Sequence, residues 1–148
     1  MLSKYILSIA LLFFIPFTLR AQVAFVSEQD GVITLRTQGT ATKKGDLISD
    51  AQKNAFFYLF YRGIPGASAD YKNPLIGTNE TQIEQEYATY FKDFYQYRYQ
   101  SFIVVTDNAS DLIKGKHKQK TVYTDVSINI NALRKDLEAN NIIRKFGF

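Results

Sequence analysis

The sequence predicts an α+β fold, a small mixed or antiparallel sheet with helices packed on one face, in the order β-β-α-α-β-β-α-β. Strand-type patterning near both ends, at 24–38 and 122–130, encloses two segments of helical periodicity, 46–62 and 79–97. Strands and helices come in pairs and do not alternate strictly, which argues against a doubly wound parallel sheet. Of the 18 aromatic residues after position 21, 13 fall within 56–61 and 87–102, so the two helices are expected to meet through their rings.

Residues 1–21 read as a cleavable secretory signal peptide. Lys4 supplies a positive start, Ile6 to Phe17 is apolar except for Ser8 and Pro16, and Thr18-Leu19-Arg20-Ala21 ends in a small residue suited to cleavage. The apolar stretch is shorter than the ~20 residues a spanning helix needs. Export to the periplasm or the outside is therefore expected, with residues 22–148 as a single domain and no membrane span after cleavage. Cysteine is absent, which removes both a lipid attachment site at the leader's end and any disulfide.

The domain opens with a hairpin: 24–27 and 32–38 flank Asp30-Gly31, a pair suited to a tight turn. From Asp46, an expected N-cap, Leu47, Ile48, Ala51, Ala55, Tyr58 and Leu59 share one helical face. Gly63 and Pro65 end that helix. Phe56, Phe57 and Phe60 project away from the main stripe, so a second apolar side needs a cover, either the next helix or a partner. A connection rich in turn residues runs to Thr78. Asn79 and Gln82 are then spaced as a capping box, and Ile83, Tyr87, Tyr90, Phe91, Phe94 and Tyr97 line one side of the second helix.

Residues 102–105 read as a short strand buried on both faces. Val122, Thr124, Val126, Ile128 and Ile130 alternate with polar partners as a half-buried strand, and Asn131 is placed to cap a closing helix with Leu133 and Leu137 inward. Residues 142–148 end the chain as a further strand-like run. Its Phe146 and Phe148 are candidates for an interface, together with Phe56, Phe57 and Phe60.

Charge gives little direction. Of 18 basic side chains, Lys4 and Arg20 lie in the leader, leaving 16 against 14 acidic, a balance of +2. A nucleic-acid partner is not expected without a basic stripe. The one dense cluster, Lys114 to Lys120, reads as a solvated hairpin tip, with an acidic polymer or an anionic membrane surface as the functional alternative. The sole histidine, His117, lies among those lysines. Asp46/Asp50 and Asp107/Asp111 form no calcium-loop pattern, and Gly115-Lys116 lacks the rest of a phosphate loop. A paired-carboxylate glycosidase is defined by placement in space and stays open. No enzyme activity, cofactor or metal is expected.

Beyond the leader, several segments carry a likeness: Gln38-Gly39-Thr40-Ala41, Asp50-Ala51-Gln52-Lys53-Asn54-Ala55, Arg62-Gly63-Ile64-Pro65-Gly66, and the alternating strand followed by Asn131-Ala132-Leu133-Arg134. Together they resemble a family of uncharacterised exported proteins of the Bacteroidetes. More distantly they are similar to the N-terminal domain of flagellar assembly protein T and related envelope proteins. Members of such families often continue into a further domain, whereas this sequence stops at Phe148. The resemblance implies a non-enzymatic envelope protein that binds an envelope or secretion-associated protein as an assembly accessory. The alternative is a glycan- or peptide-binding module using surface tyrosines, with Tyr71, Tyr95 and Tyr99 as its candidates.

Overall fold

Two ten-residue strands, β2 (Val32–Ala41) and β5 (Lys120–Asn129), pair antiparallel over their whole lengths, from Val32 opposite Asn129 to Ala41 opposite Lys120. The computed structural model describes residues 22–145; the leader reading at 1–21 and the interface candidates Phe146 and Phe148 lie outside them. Strand β1 (Val23–Gln29) joins β2 as a hairpin, turning through Asp30 and Gly31 at φ of 53° and 76°, the positive values that an Asp-Gly turn accommodates. On the other side β5 pairs with β3 (Ile103–Asn108) and β4 (Ile113–Lys114), which together form one interrupted edge. The result is an open antiparallel sheet of five strands in an α+β fold.

The two-residue repeat sorts the central strands into two faces. Ile33, Leu35, Thr37, Val122, Thr124, Val126 and Ile128 are buried beneath the helices. On the opposite face the directly paired residues form a polar ladder: Thr34 bonds Ser127 (2.8 Å), and Arg36 grips Asp125 through two 2.8 Å bonds. Opposite charges and hydroxyl pairs set across from each other stabilise a sheet by a few tenths to about 1 kcal/mol each.

Helix α1 (Leu47–Tyr61) lies on the buried face, seated by small residues. A Cβ on Gly39 would stand 2.0 Å from the Leu47 carbonyl oxygen and 2.9 Å from the Ala51 Cβ, so helix and strand approach to a distance that no side chain permits. Ala51 and Ala55 are fully buried on the same face of the helix. Polar groups complete the attachment. β1 starts opposite Thr37, so the end of β2 runs past it, and there Thr40 N–H donates to Asp50 Oδ2 (2.7 Å) while Asn54 Nδ2 donates to the Gln38 carbonyl (2.8 Å). The helix side chains thus satisfy backbone groups that would otherwise face the helix unpaired.

The C-terminal end of α1 is closed by the following loop, as the Gly63-Pro65 signal predicts. Arg62 and Gly63 donate to the Tyr58 carbonyl, Leu75 to Leu59, and Ile76 and Gly77 to Phe60. Within this loop lies the one-turn α2 (Ala69–Lys72).

The outer layer is aromatic. Asn79 caps the helix, its Oδ1 accepting from Gln82 N–H (3.3 Å), and in place of the reciprocal backbone bond of a capping box its Nδ2 donates to Gln82 Oε1 (2.9 Å). The expected single helix is broken, however, into α3 (Glu80–Glu86) and α4 (Ala88–Gln96) at Tyr87, whose backbone leaves the helical region while its hydroxyl donates to the Asn141 carbonyl (3.0 Å). Phe94 packs against Phe56, Phe60, Tyr90, Tyr95 and Phe102 at ring separations of 5.2–6.0 Å. Asp136 of α5 (Ile130–Ala139) ties the layer to the closing helix by accepting from Tyr90 Oη (2.6 Å) and from Arg98.

Three local expectations are corrected. Asp46 does not cap α1: it stands in a helical conformation at the end of a 3-10 turn, and its side chain makes no capping bond. Asn129, and not Asn131, caps α5, its Oδ1 accepting from Ala132 N–H (3.0 Å); Ile130 is already in the first turn and Asn131 packs over Gly31. Residues 142–145 form no strand; Ile142 and Ile143 pack half-buried against the core.

The seating of α1 generates a paired test. Gly39→Ala should lower stability by about 2–3 kcal/mol or more, because the neighbours it strikes are helix backbone. Gly45→Ala, with nothing within 4 Å, should leave the thermal midpoint level or slightly raised. Equal midpoints for the two variants would refute the close approach.

Candidate functional site

The residues singled out for binding are mostly inside the protein. Phe56 and Phe60 have no exposed surface, because α4 and the turn after it cover the second apolar side of α1. Of the three phenylalanines only Phe57 reaches the surface, half-buried, with the Arg62 guanidinium 4.9 Å from its ring centroid. Phe56 and Phe60 are therefore core residues and not interface residues.

The tyrosine candidates change in the same way. Tyr99 is 2 % exposed, wedged against Phe56, with Lys53 Nζ 5.6 Å from its centroid. Tyr71 is 8 % exposed, and its carbonyl accepts from Ile64 N–H across the loop (2.8 Å). Tyr95 stacks on Phe91 and meets Phe94 edge-on, and its buried hydroxyl has no hydrogen-bond partner. Burial, and then the carboxylates of Glu84 and Glu80, push its ionisation well above the ordinary phenol range. The neighbouring Tyr61 hydroxyl donates to Glu84 Oε1 (3.1 Å), and burial raises its pKa likewise. A sugar stacks on the open face of a ring; Tyr71 and Tyr99 are buried, and Tyr95 is half-buried with Phe91 stacked on it.

The titratable groups named from the sequence do not converge. Asp50 is engaged with the β2 backbone, whereas Asp46 is exposed before α1. Asp107 stands on β3 opposite Asp125, Asp111 lies exposed in the break between β3 and β4, and His117 sits on the exposed tip at φ 54°. Among the described residues no group of three or more His, Cys, Asp or Glu is placed to hold a metal ion. The surface clefts are shallow and mixed in lining. One of about 310 Å³ lies between Lys44, Leu47, Ile48, Leu112 and Val122, at the end of the sheet where the lysine hairpin projects.

The β3–β4 edge of the sheet carries exposed aliphatic residues. Residues 102–105 are not buried on both faces: Val104 is 58 % and Val105 44 % exposed, because β3 is an edge strand with a bulge between Ile103 and Val105. Leu112 and Ile113 follow at 37 % and 47 % along the same edge. Periodicity cannot identify an edge, since an apolar run looks alike with one neighbour or two. Strand β3 pairs with β5 alone, and the described residues place no strand on its other side. The β1 edge differs, because the loop after α1 reaches it: Glu28 accepts from Ser68 N–H (3.1 Å) and Ser68 Oγ (2.9 Å).

No protein-family model, curated protein or solved structure matches the chain. No helix among the described residues is long and apolar enough to cross a membrane.

The burial of the aromatic layer has a measurable consequence. Phe94→Ala should cost about 3–5 kcal/mol, as expected for emptying a ring-sized space in a packed core. Tyr97→Ala, at a side chain 54 % exposed, should cost less than about 1 kcal/mol. Denaturant unfolding of the two variants separates core from surface, and similar losses would contradict the placement.

Proposed function

We propose that this chain is an exported, non-enzymatic envelope protein that binds another protein as an assembly accessory, and that the free β3 edge takes an extended segment of that partner. The edge carries the proposal: a strand pairing on one side only, with Val104 and Val105 exposed on it. An unpaired edge offers a row of backbone donors and acceptors that an added strand completes, while side-chain contacts supply selectivity. Soluble domains generally blunt such edges with charge, proline or cover. This one has a bulge, yet keeps two exposed valines. The fitting occupant is an extended polypeptide with aliphatic residues at alternate positions. The leader at 1–21 supports export, and the resemblance to exported Bacteroidetes proteins supports an envelope setting. The glycan-binding alternative loses its footing with Tyr71 and Tyr99 in the core and Tyr95 half-buried against other rings.

Two measurements test this reading. A photoreactive amino acid replacing Val104 should give a defined protein adduct in the native envelope, and the same group replacing exposed Lys92 on α4 should not. Adding Val105→Asp should abolish the adduct while changing stability by less than about 1 kcal/mol. Equal adducts from positions 104 and 92, or an adduct indifferent to Val105→Asp, would overturn the edge as the binding surface. Separately, N-terminal sequencing of the exported product should begin at Gln22; uncleaved protein embedded in the membrane would refute the leader reading.

A further inference from the structure

We infer that the lysine-bearing end of the sheet is a docking surface for an anionic lipid bilayer. The structure joins two lysine groups that are far apart in sequence. Lys43 and Lys44 leave the end of β2, and Ala41, just before them, pairs with Lys120 at the start of β5. Lys114 pairs with Lys120 from the other side, and Lys116 and Lys118 form the turn between them. Six lysines therefore occupy one end of one sheet, all exposed except the half-buried Lys120, whose Nζ donates to the Thr42 carbonyl (3.2 Å). The nearby acids are Asp46 before α1, Asp111 in the break between β3 and β4, and Asp50, whose carboxylate is engaged by Thr40 N–H. Among the described residues every salt bridge is made by an arginine, so none of these ammonium groups is neutralised in an ion pair.

The second observation is apolar. Leu112 and Ile113 are exposed immediately before Lys114, and Leu112 shares its cleft with Lys44, so the aliphatic pair lies among the cations. Lysines on flexible stems, with no arginine fork among them, suit a diffuse field of headgroups better than the fixed geometry of one phosphate. Exposed aliphatic side chains at a projecting tip gain by entering the headgroup–acyl boundary. A soluble acidic polymer would use the charges but would leave Leu112 and Ile113 in water. This surface is separate from Val104 and Val105, and the inference does not depend on the proposed partner strand.

The test is cosedimentation of the full chain with phosphatidylcholine vesicles, with and without about 30 % phosphatidylglycerol, at low salt. Residues 1–21, with Lys4 and Arg20, are common to every variant, so their contribution cancels in the comparison of variants on the same vesicles. The wild type should favour the anionic vesicles by about tenfold or more, with the preference fading at about 0.5 M salt. Lys114→Glu/Lys116→Glu/Lys118→Glu should erase that preference, and Lys43→Glu/Lys44→Glu, on a different segment, should reduce it independently. Leu112→Ser/Ile113→Ser should weaken anionic-vesicle binding severalfold while leaving binding to soluble polyglutamate unchanged. Unaltered thermal midpoints in these exposed-residue variants show that the fold persists. A wild type with no preference, or a triple variant that partitions as the wild type does, overturns the inference. So does vesicle binding indifferent to the Leu112/Ile113 change beside tight polyglutamate binding, which would make the tip a surface for acidic polymers.

Discussion

The contact between α1 and the β2–β5 pair governs the rest of the molecule. A helix can lie this close to a sheet only where side chains are nearly absent, and the chain supplies that condition with Gly39 on the strand and Ala51 and Ala55 on the helix. Polar attachment follows from the same closeness: Asp50 and Asn54 can reach the backbone of Thr40 and Gln38 because the helix is already there. The buried hydroxyls of Thr37 and Thr124, which are both fully enclosed and 3.4 Å apart, lie opposite each other beneath the helix. A bulky residue at any of the small positions would lift α1 and expose these groups together.

With one side of α1 committed to small residues, its large ones face the other way, and this explains the aromatic outer layer. Phe56 and Phe60 need partners of matching size. Phe91 and Phe94 of α4 supply them, with Tyr99 from the turn that follows, and Phe102 backs Phe94. Edge-to-face and offset ring pairs each add roughly 0.5–1.5 kcal/mol beyond area burial, which favours one arrangement of the layer over a loose apolar contact. The polar rims of the tyrosines then decide how the layer is joined to its surroundings. Tyr90 and Arg98 meet on Asp136 of α5, Tyr87 reaches Asn141, and Tyr61 reaches Glu84. Tyr61, Tyr87 and Tyr90 thus fasten the layer to its surroundings, while Tyr71 and Tyr99, which suggested a ligand surface, are buried.

Once the helices have taken one face, what remains for interaction lies on the sheet's rim. The open face is occupied by its own cross-strand pairs, Arg36–Asp125 and Thr34–Ser127 among them. The β1 edge is met by the loop at Ser68, whereas the β3–β4 edge is left with exposed aliphatic residues, and the end of the sheet beside β4 gathers the lysines. Backbone pairing on the edge and a diffuse positive field at its end are different physical means of recognition, so one domain has room for two kinds of contact.

The sequence by itself determined the α+β class, the opening hairpin at Asp30-Gly31, the face of α1 that carries Ala51 and Ala55, the Asn79 cap and the inward run from Val122 to Ile128. Each of these is encoded locally, by residue periodicity or by a turn whose backbone angles only certain residues accept. The break at Tyr87, the transfer of the α5 cap from Asn131 to Asn129, the burial of Phe56, Phe60, Tyr71 and Tyr99, and the exposure of Val104 and Val105 were decided only in the tertiary structure. Local pattern states that a side chain is apolar and which way it points, but burial depends on what arrives from elsewhere in the chain. An aromatic ring and a strand valine carry no record of whether a neighbour will cover them. Here α4 covered Phe56 and Phe60 of α1, and among the described residues no strand arrived beside β3.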